Sequence, residues 1–219
     1  MPTAPVYPVA LVVEGKPCLV VGGGAVAARK VASLVECGAD VTVVAPEVGE
    51  ALRALVRSPG EVGGSVRVEA RCYRPGEAAR FRLVVTATGR SEVDQAVAHD
   101  ADAAGVWVNS ADDPARCSFL LPAVHRQGTV SIAVSTGGAS PALAAWLRSR
   151  LARLVGPETS TIAQLLQRVR GDLRAAGRST EEVDWQAVLD GEVATLVAAG
   201  RTSEAAAALR RAVGLTRSG

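Results

Sequence analysis

Two carboxylates stand side by side in WVNSADDPARCSF, residues 107–119, three positions after Asn109. An aspartate beside a reacting carbon can take up a proton as general base. The same Asp112-Asp113-Pro114 run also reads as a solvated turn, because Asp and Pro favour turns through their own backbone chemistry. Residue type alone leaves both readings open. A second run with chemical content is CLVVGGGAVAARK, residues 18–30. Gly22, Gly24 and Ala27 form G-x-G-x-x-A between a β-rich run and a helix-forming one. Gly22 permits a tight turn, and Gly24 lets backbone approach a pyrophosphate. Ala27 lets the helix sit close to the sheet with its first N–H groups aimed at the phosphates. In that strand-to-helix context the spacing is a dinucleotide fingerprint, with a packing turn as the plainer alternative.

Such a site expects an acidic residue about twenty positions further on, to hold the ribose hydroxyls. The second strand here runs into VVAPEV, with Pro46 at its end and Glu47 as the nearby carboxylate. No arginine follows until Arg53, which leaves a 2′-phosphate without a partner and favours NAD over NADP. Other redox chemistries lack their residues. Neither Tyr7 nor Tyr73 has a lysine four positions on, and no His and Cys cluster as zinc ligands, so no metal site is expected. His99 falls in a predicted helix and His125 near a turn, and both are expected at the surface.

The elements that must position these residues follow from hydrophobic period. Residues 9–13 and 18–21 are two β-rich runs separated by the turn signal EGKP. Ala27, Val31, Leu34 and Val35 keep helical spacing, and Gly38 stands where a C-cap belongs. Strands are then predicted at 41–46, 66–73, 82–89 and 106–111, with helices at EALRALV and SEVDQAVAHDADAAG between them. That alternation is the mark of a Rossmann-like parallel sheet with helices on both faces, an α/β fold. It puts Asn109 and the two aspartates beyond the carboxyl end of the fifth strand, where open α/β sheets bind ligands.

The pattern changes near residue 118. SFLLPAVHRQGTVSIAVSTGG reads as two antiparallel strands turning at Gln127-Gly128, followed by Ser140 as N-cap and Pro141 as first helical residue. Amphipathic helices broken at Gly177 and Gly200 fill the rest. The expected organisation is a Rossmann domain over 1–116, a small α+β dimerisation and substrate unit over 117–155, and a helical region over 156–219.

Composition narrows the class. Of 219 residues 48% are hydrophobic and 21% charged, which suits a folded globular chain. Aromatics are 3%, so the core must be aliphatic. A net charge of +2 argues against a nucleic-acid partner. Cys18, Cys37, Cys72 and Cys117 contain no C-x-x-C pair; Cys18 and Cys37 read as small core residues. No basic segment leads into a long apolar block at the N-terminus, and no run approaches the roughly 20 residues of a membrane span, so a reducing cytoplasm is expected.

Three stretches resemble one family in its order and spacing: YPVALVVEGKPCLVVGGGAVAARKVASLVECGADVTVVAP, VNSADDPARCSFLLPAV and VSTGGASPALA. That family is precorrin-2 dehydrogenase, the N-terminal module of siroheme synthases. The likeness covers roughly residues 6–155 and continues more loosely to DWQAVLDG; no counterpart of the methyltransferase module of fused members is expected within these residues. The resemblance implies a homodimer that oxidises precorrin-2 to sirohydrochlorin with NAD; some members also insert Fe²⁺ to give siroheme. It places the acid–base aspartate of an N-x-x-D-x-P run on Asp112. Asp113 stands where many members have alanine. Cofactor contacts fall on Gly24, Ala25, Val26, Pro46, Glu47, Ala87 and Thr88.

Precorrin-2 carries acetate and propionate groups, so cleft arginines such as Arg116, Arg126 and Arg148 are candidate partners. Asn109 lies beside the aspartates, and Ser135, Thr136, Gly137 and Gly138 stand where the family has S-S-G-G. Backbone N–H groups at Gly137, Gly138 and the helix from Pro141 offer a further carboxylate site. The family's Asp or Asn after strand four is Gly89-Arg90 here, a departure at a cofactor contact. Two other classes fit parts of the sequence. One is a nucleotide-sensing regulatory module of the kind attached to ion transporters, which usually ends its second strand in Asp and lacks the other two motifs. The other is a structural dimer without catalysis.

Overall fold

The fold is seen in a computed structural model that describes residues 6–57 and 63–215. Residues 1–5, part of the stretch read above for a leader, lie outside the described residues. The chain groups into two compact units, one of residues 1–121 with 137–139, the other of 122–136 with 140–219. The sequence suggested three segments with boundaries at 116 and 155. The strand pair, the helix after it and the long helix beyond them pack together within the second unit.

In the first unit, β1 (Pro17–Val21), β2 (Asp40–Val44), β3 (Ser65–Glu69), β4 (Leu83–Thr86) and β5 (Trp107–Ser110) form one sheet in the order β3-β2-β1-β4-β5. Every pairing is parallel. The connections are α1 (Ala25–Glu36), α2 (Glu50–Arg57) and α3 (Ser91–Ala103), as the alternating pattern demands. Near-continuous valine runs suit strands buried on both faces. Cys18, Val20, Val41, Val43 and Val85 point to one side, against Ala27, Val31 and Leu52. Leu19, Val21, Val84 and Val108 point to the other, against Val97, Ala98 and Ala101. Ala27 is fully buried there, the close packing that its place in the fingerprint requires. Burial pushes the Cys18 thiol up to about 11, as befits a core residue.

Two expectations change. Residues 9–13 do not form a strand, because both hydrogen-bonding edges of β1 are already held by β2 and β4. Val9 and Val12 are exposed, and the segment closes in a turn at Gly15. The third strand ends at Glu69 and does not reach residue 73: its neighbour β2 ends at Val44, and the last bond between them is from the Ala45 N–H to the Glu69 carbonyl at 3.3 Å. Gly38 does end α1, in the left-handed conformation, with N–H groups of Gly38 and Ala39 reaching back to Val35 and Leu34.

The second unit holds the antiparallel pair β6 (Ala123–Gln127) and β7 (Val130–Val134), then α4 (Pro141–Leu151) and α5 (Pro157–Ala175). Ser140 caps α4 through Oγ, which accepts the Leu143 N–H at 3.2 Å. Shorter helices follow, α6 (Trp185–Val188), α7 (Ala194–Ala198) and α8 (Thr202–Ala212). Leu165, Val169 and Leu173 of α5 bury against Val197 and Leu209. No described helix is long and apolar enough to cross a membrane.

Candidate functional site

The strand order reverses between β1 and β4, so the loops leaving those two strands face one crevice at the carboxyl edge of the sheet. The first of them is the glycine run. Gly22 has φ +130°, and a Cβ there would lie 2.3 Å from the Ala87 carbonyl oxygen, so only glycine fits. Gly23, which the G-x-G-x-x-A spacing leaves free, is equally constrained: its Cβ would lie 1.9 Å from the Glu47 carbonyl oxygen. Its own carbonyl accepts the Gly49 N–H at 2.9 Å, which ties the loop after β2 to the loop after β1.

Gly24 is different, for a Cβ there would meet nothing within 4 Å. It is the N-cap of α1 and supplies no side-chain cap, and the first turn has no acidic residue. The first helical bond runs from Ala28 N–H to the Gly24 carbonyl, so the N–H groups of Ala25, Val26 and Ala27 lack an intrahelical acceptor. Ala25 and Val26 are exposed beside them. Open space in front of uncapped helix N–H groups is what a pyrophosphate needs, so these residues fit a dinucleotide.

A cleft of about 470 Å³ joins this loop to Pro46, Glu47, Thr88 and Arg90. Thr88 is fixed by Asp94, a buried carboxylate that sequence reasoning missed. Asp94 accepts Thr88 Oγ1 at 2.8 Å, Thr88 N–H at 3.3 Å and the Thr86 hydroxyl. Ala87 is held by its N–H on the Val21 carbonyl at 2.8 Å. Gly89 has φ +68°, the left-handed conformation that Asp and Asn tolerate better than other side chains, so the departure from the family pattern keeps the backbone shape. On the far side of Glu47 a wider cleft of about 880 Å³ includes Arg53 and Arg57. Arg57 pairs with Glu50. Arg53, set apart from Glu47 along the chain, lines the same cleft, so the expectation that no arginine stands near this carboxylate is corrected.

Beyond β5 the structure separates the two aspartates. Asp113 accepts the Ala115 N–H at 2.9 Å and pairs with Arg116 at 3.2 Å, so it serves the local turn. Asp112 is exposed and has no hydrogen-bond or ion-pair partner among the described residues. Arg116 also donates to the carbonyl and hydroxyl of Ser91 at 3.1 and 3.2 Å, which fastens the segment to the start of α3. Asn109 is buried, and its Nδ2 donates to the Phe119 carbonyl at 3.0 Å. Both candidates thus hold the loop that carries Asp112.

Ser135 and Thr136 follow β7 in the second unit, and Thr136 Oγ1 accepts the Ser140 N–H at 3.0 Å. Gly137 and Gly138 both have positive φ and group with the first unit. His99 is exposed, as expected. His125 does lie near the Gly128 turn, but it is half-buried rather than a surface residue: it stands in β6 opposite Ile132 of β7, and its Nε2 is buried without a partner among the described residues. The strand pattern of residues 123–127 carried that information.

Residues 9–123 match the family described as "Putative NAD(P)-binding", and residues 127–154 match "Sirohaem biosynthesis protein central". A siroheme synthase from Nitrosococcus oceani is 38% identical over 94% of this chain and 43% of its own length. One from Methylococcus capsulatus is 36% identical over 90% and 41%. The chain spans less than half the length of these curated relatives. A solved structure of SirC, precorrin-2 dehydrogenase, superposes with a TM-score of 0.71 over 94% of this chain and 100% of its own, at 23% identity, and shows the same fold.

Proposed function

Because the chain belongs to the family of NAD(P)-binding modules found in siroheme synthases, we propose that it oxidises precorrin-2 to sirohydrochlorin with NAD. One observation carries this reading. A carboxylate without a partner among the described residues, Asp112, follows β5 on the same sheet edge where uncapped N–H groups of α1 face open space. When bound, NAD supplies the hydride acceptor. Ala25 and Val26 offer their N–H groups to its pyrophosphate, and Gly22, Pro46, Ala87 and Thr88 shape the cleft around it. Asp112 takes the proton that leaves with the hydride. Asn109 and Arg116 keep the Asp112 loop in place, while Ser135, Thr136, Gly137 and Gly138 are proposed for the substrate's carboxylates. Anaerobic incubation with precorrin-2 and NAD tests the reading, with sirohydrochlorin absorbance expected and its absence decisive against it. Addition of Fe²⁺ to the same vessel, as second substrate, tests siroheme formation by this chain.

Cofactor choice rests on Glu47 against Arg53. The exposed Glu47 carboxylate suits ribose hydroxyls and repels a 2′-phosphate, whereas Arg53 in the same cleft offsets part of that repulsion. NAD is therefore expected to bind more tightly than NADP by on the order of tenfold, about 1.4 kcal/mol. Calorimetric titration of both nucleotides measures it, and equal or reversed affinities would remove Glu47 from the role. Glu47→Gln should narrow the gap.

We also propose a homodimer built on the second unit. β6 and β7 form a two-stranded sheet whose outer edges have no further strand among the described residues. Leu143 and Trp146 of α4 are 47% and 53% exposed, and Leu154 just beyond is 77% exposed. Uncovered edges and apolar side chains of this kind invite a partner. Light scattering at micromolar concentration should return twice the 22.4 kDa chain mass. A monomer would contradict the proposal.

A further inference from the structure

The Asp112 side chain has no hydrogen bond or ion pair among the described residues, so the loop that carries it must fix where its carboxylate stands. The loop from Ser110 to Cys117 closes around one sulfur atom. Cys117 Sγ accepts the Ser110 N–H at 3.2 Å and lies 3.5 Å from the Asn109 Nδ2 donor. Its own proton faces the Ser110 carbonyl at 3.3 Å and the Asp113 carbonyl at 3.6 Å. The sulfur thus touches residues on both sides of Ala111-Asp112. From these contacts we propose that Cys117 is a positioning residue for Asp112, holding the two ends of the loop whose tip carries the proton acceptor. The inference rests on the reading of Asp112 given above.

Three further facts support it. Ser110 is only 4% exposed, and its Oγ lacks a partner among the described residues, so loss of the sulfur would leave its N–H unsatisfied as well. Burial raises the Cys117 thiol above its ordinary range, so it remains protonated near neutral pH and keeps its donor. Next to it, Ser118 closes the base of the loop by accepting the Val108 N–H through Oγ at 2.7 Å. Asp113 and Arg116 brace the outer turn, but neither crosses the loop interior as the sulfur does.

A double-mutant cycle on the full chain tests this. Cys117→Ala should lower kcat for sirohydrochlorin formation about tenfold, short of the roughly 10²-fold that a full ångström of misplacement costs. NAD affinity should stay unchanged, since the glycine loop is untouched. Cys117→Ser, whose hydroxyl accepts and donates at shorter reach, should fall between Ala and the native enzyme. In an Asp112→Asn background either substitution should cost nothing further, because the group being positioned is gone. If Cys117→Ala does not fold, the Cys117→Ser pair completes the same cycle. Native kcat in Cys117→Ala, a serine variant slower than alanine, or equal losses in both backgrounds would overturn the proposal. Full activity of Asp112→Asn would instead overturn the reading of Asp112 itself, and native protein that forms no sirohydrochlorin would overturn the proposed reaction.

Discussion

Asp112→Asn is expected to keep the fold and NAD affinity and to slow sirohydrochlorin formation by about 10²–10⁴-fold, the usual contribution of a general base. Asparagine has nearly the same shape and no charge. Asp112 makes no hydrogen bond or ion pair among the described residues, so no packing or cap is lost with it. A large kinetic defect with an unchanged melting temperature then points to proton transfer. Asp113→Asn is the matched control. Its side-chain oxygen can still accept the Ala115 N–H, and the half-exposed pair with Arg116 is worth no more than about 1 kcal/mol. A small drop in stability and turnover within about threefold of native are expected. Should Asp113→Asn be the inactive variant, the catalytic role would move by one residue.

Gly24→Val is expected to weaken NAD binding by at least about 10²-fold without unfolding the protein. Two charge-assisted N–H bonds to the pyrophosphate are worth about 3 kcal/mol together, which corresponds to that factor. At Gly24 the backbone is extended, φ −82° and ψ −174°, a conformation valine adopts readily. Its side chain would enter the open space in front of Ala25 and Val26, touching no protein atom at Cβ. Gly23→Ala provides the contrast, because its Cβ collides with the Glu47 carbonyl at 1.9 Å and should lower the melting temperature. Calorimetric titration of NAD together with thermal melting separates the two effects. Retained affinity in Gly24→Val would place the pyrophosphate elsewhere.

Local features of this chain were readable in the sequence because they are written in short-range residue choice. The turn at Gly22, the buried Ala27, the Gly38 stop and the Ser140-Pro141 start each depend on a few adjacent residues. What sequence did not disclose depends on atoms that only the fold brings together. Gly23 is required by a carbonyl 24 residues away, at Glu47. Asp94 looks like an ordinary acidic residue in a first helical turn, yet it is the anchor of Thr86 and Thr88. Arg116 reads as a free charge for a substrate carboxylate, whereas Asp113 and Ser91 occupy its guanidinium. Residues 9–13 have the composition of a strand, but the sheet leaves them no edge beside β1. The Gly89-Arg90 run reads in sequence as a departure at a cofactor contact, and the left-handed backbone at Gly89 keeps the local shape.

The most direct test is the stoichiometry of the proposed oxidation itself. Purified chain, precorrin-2 and NAD are mixed without oxygen, and NADH and sirohydrochlorin are followed together by absorbance. Removal of one hydride and one proton requires one NADH for each sirohydrochlorin, at a rate that scales with enzyme and collapses in Asp112→Asn. Sirohydrochlorin appearing without NADH, or NAD binding with no enzyme-dependent formation of either product, would contradict a dehydrogenase built on this sheet edge.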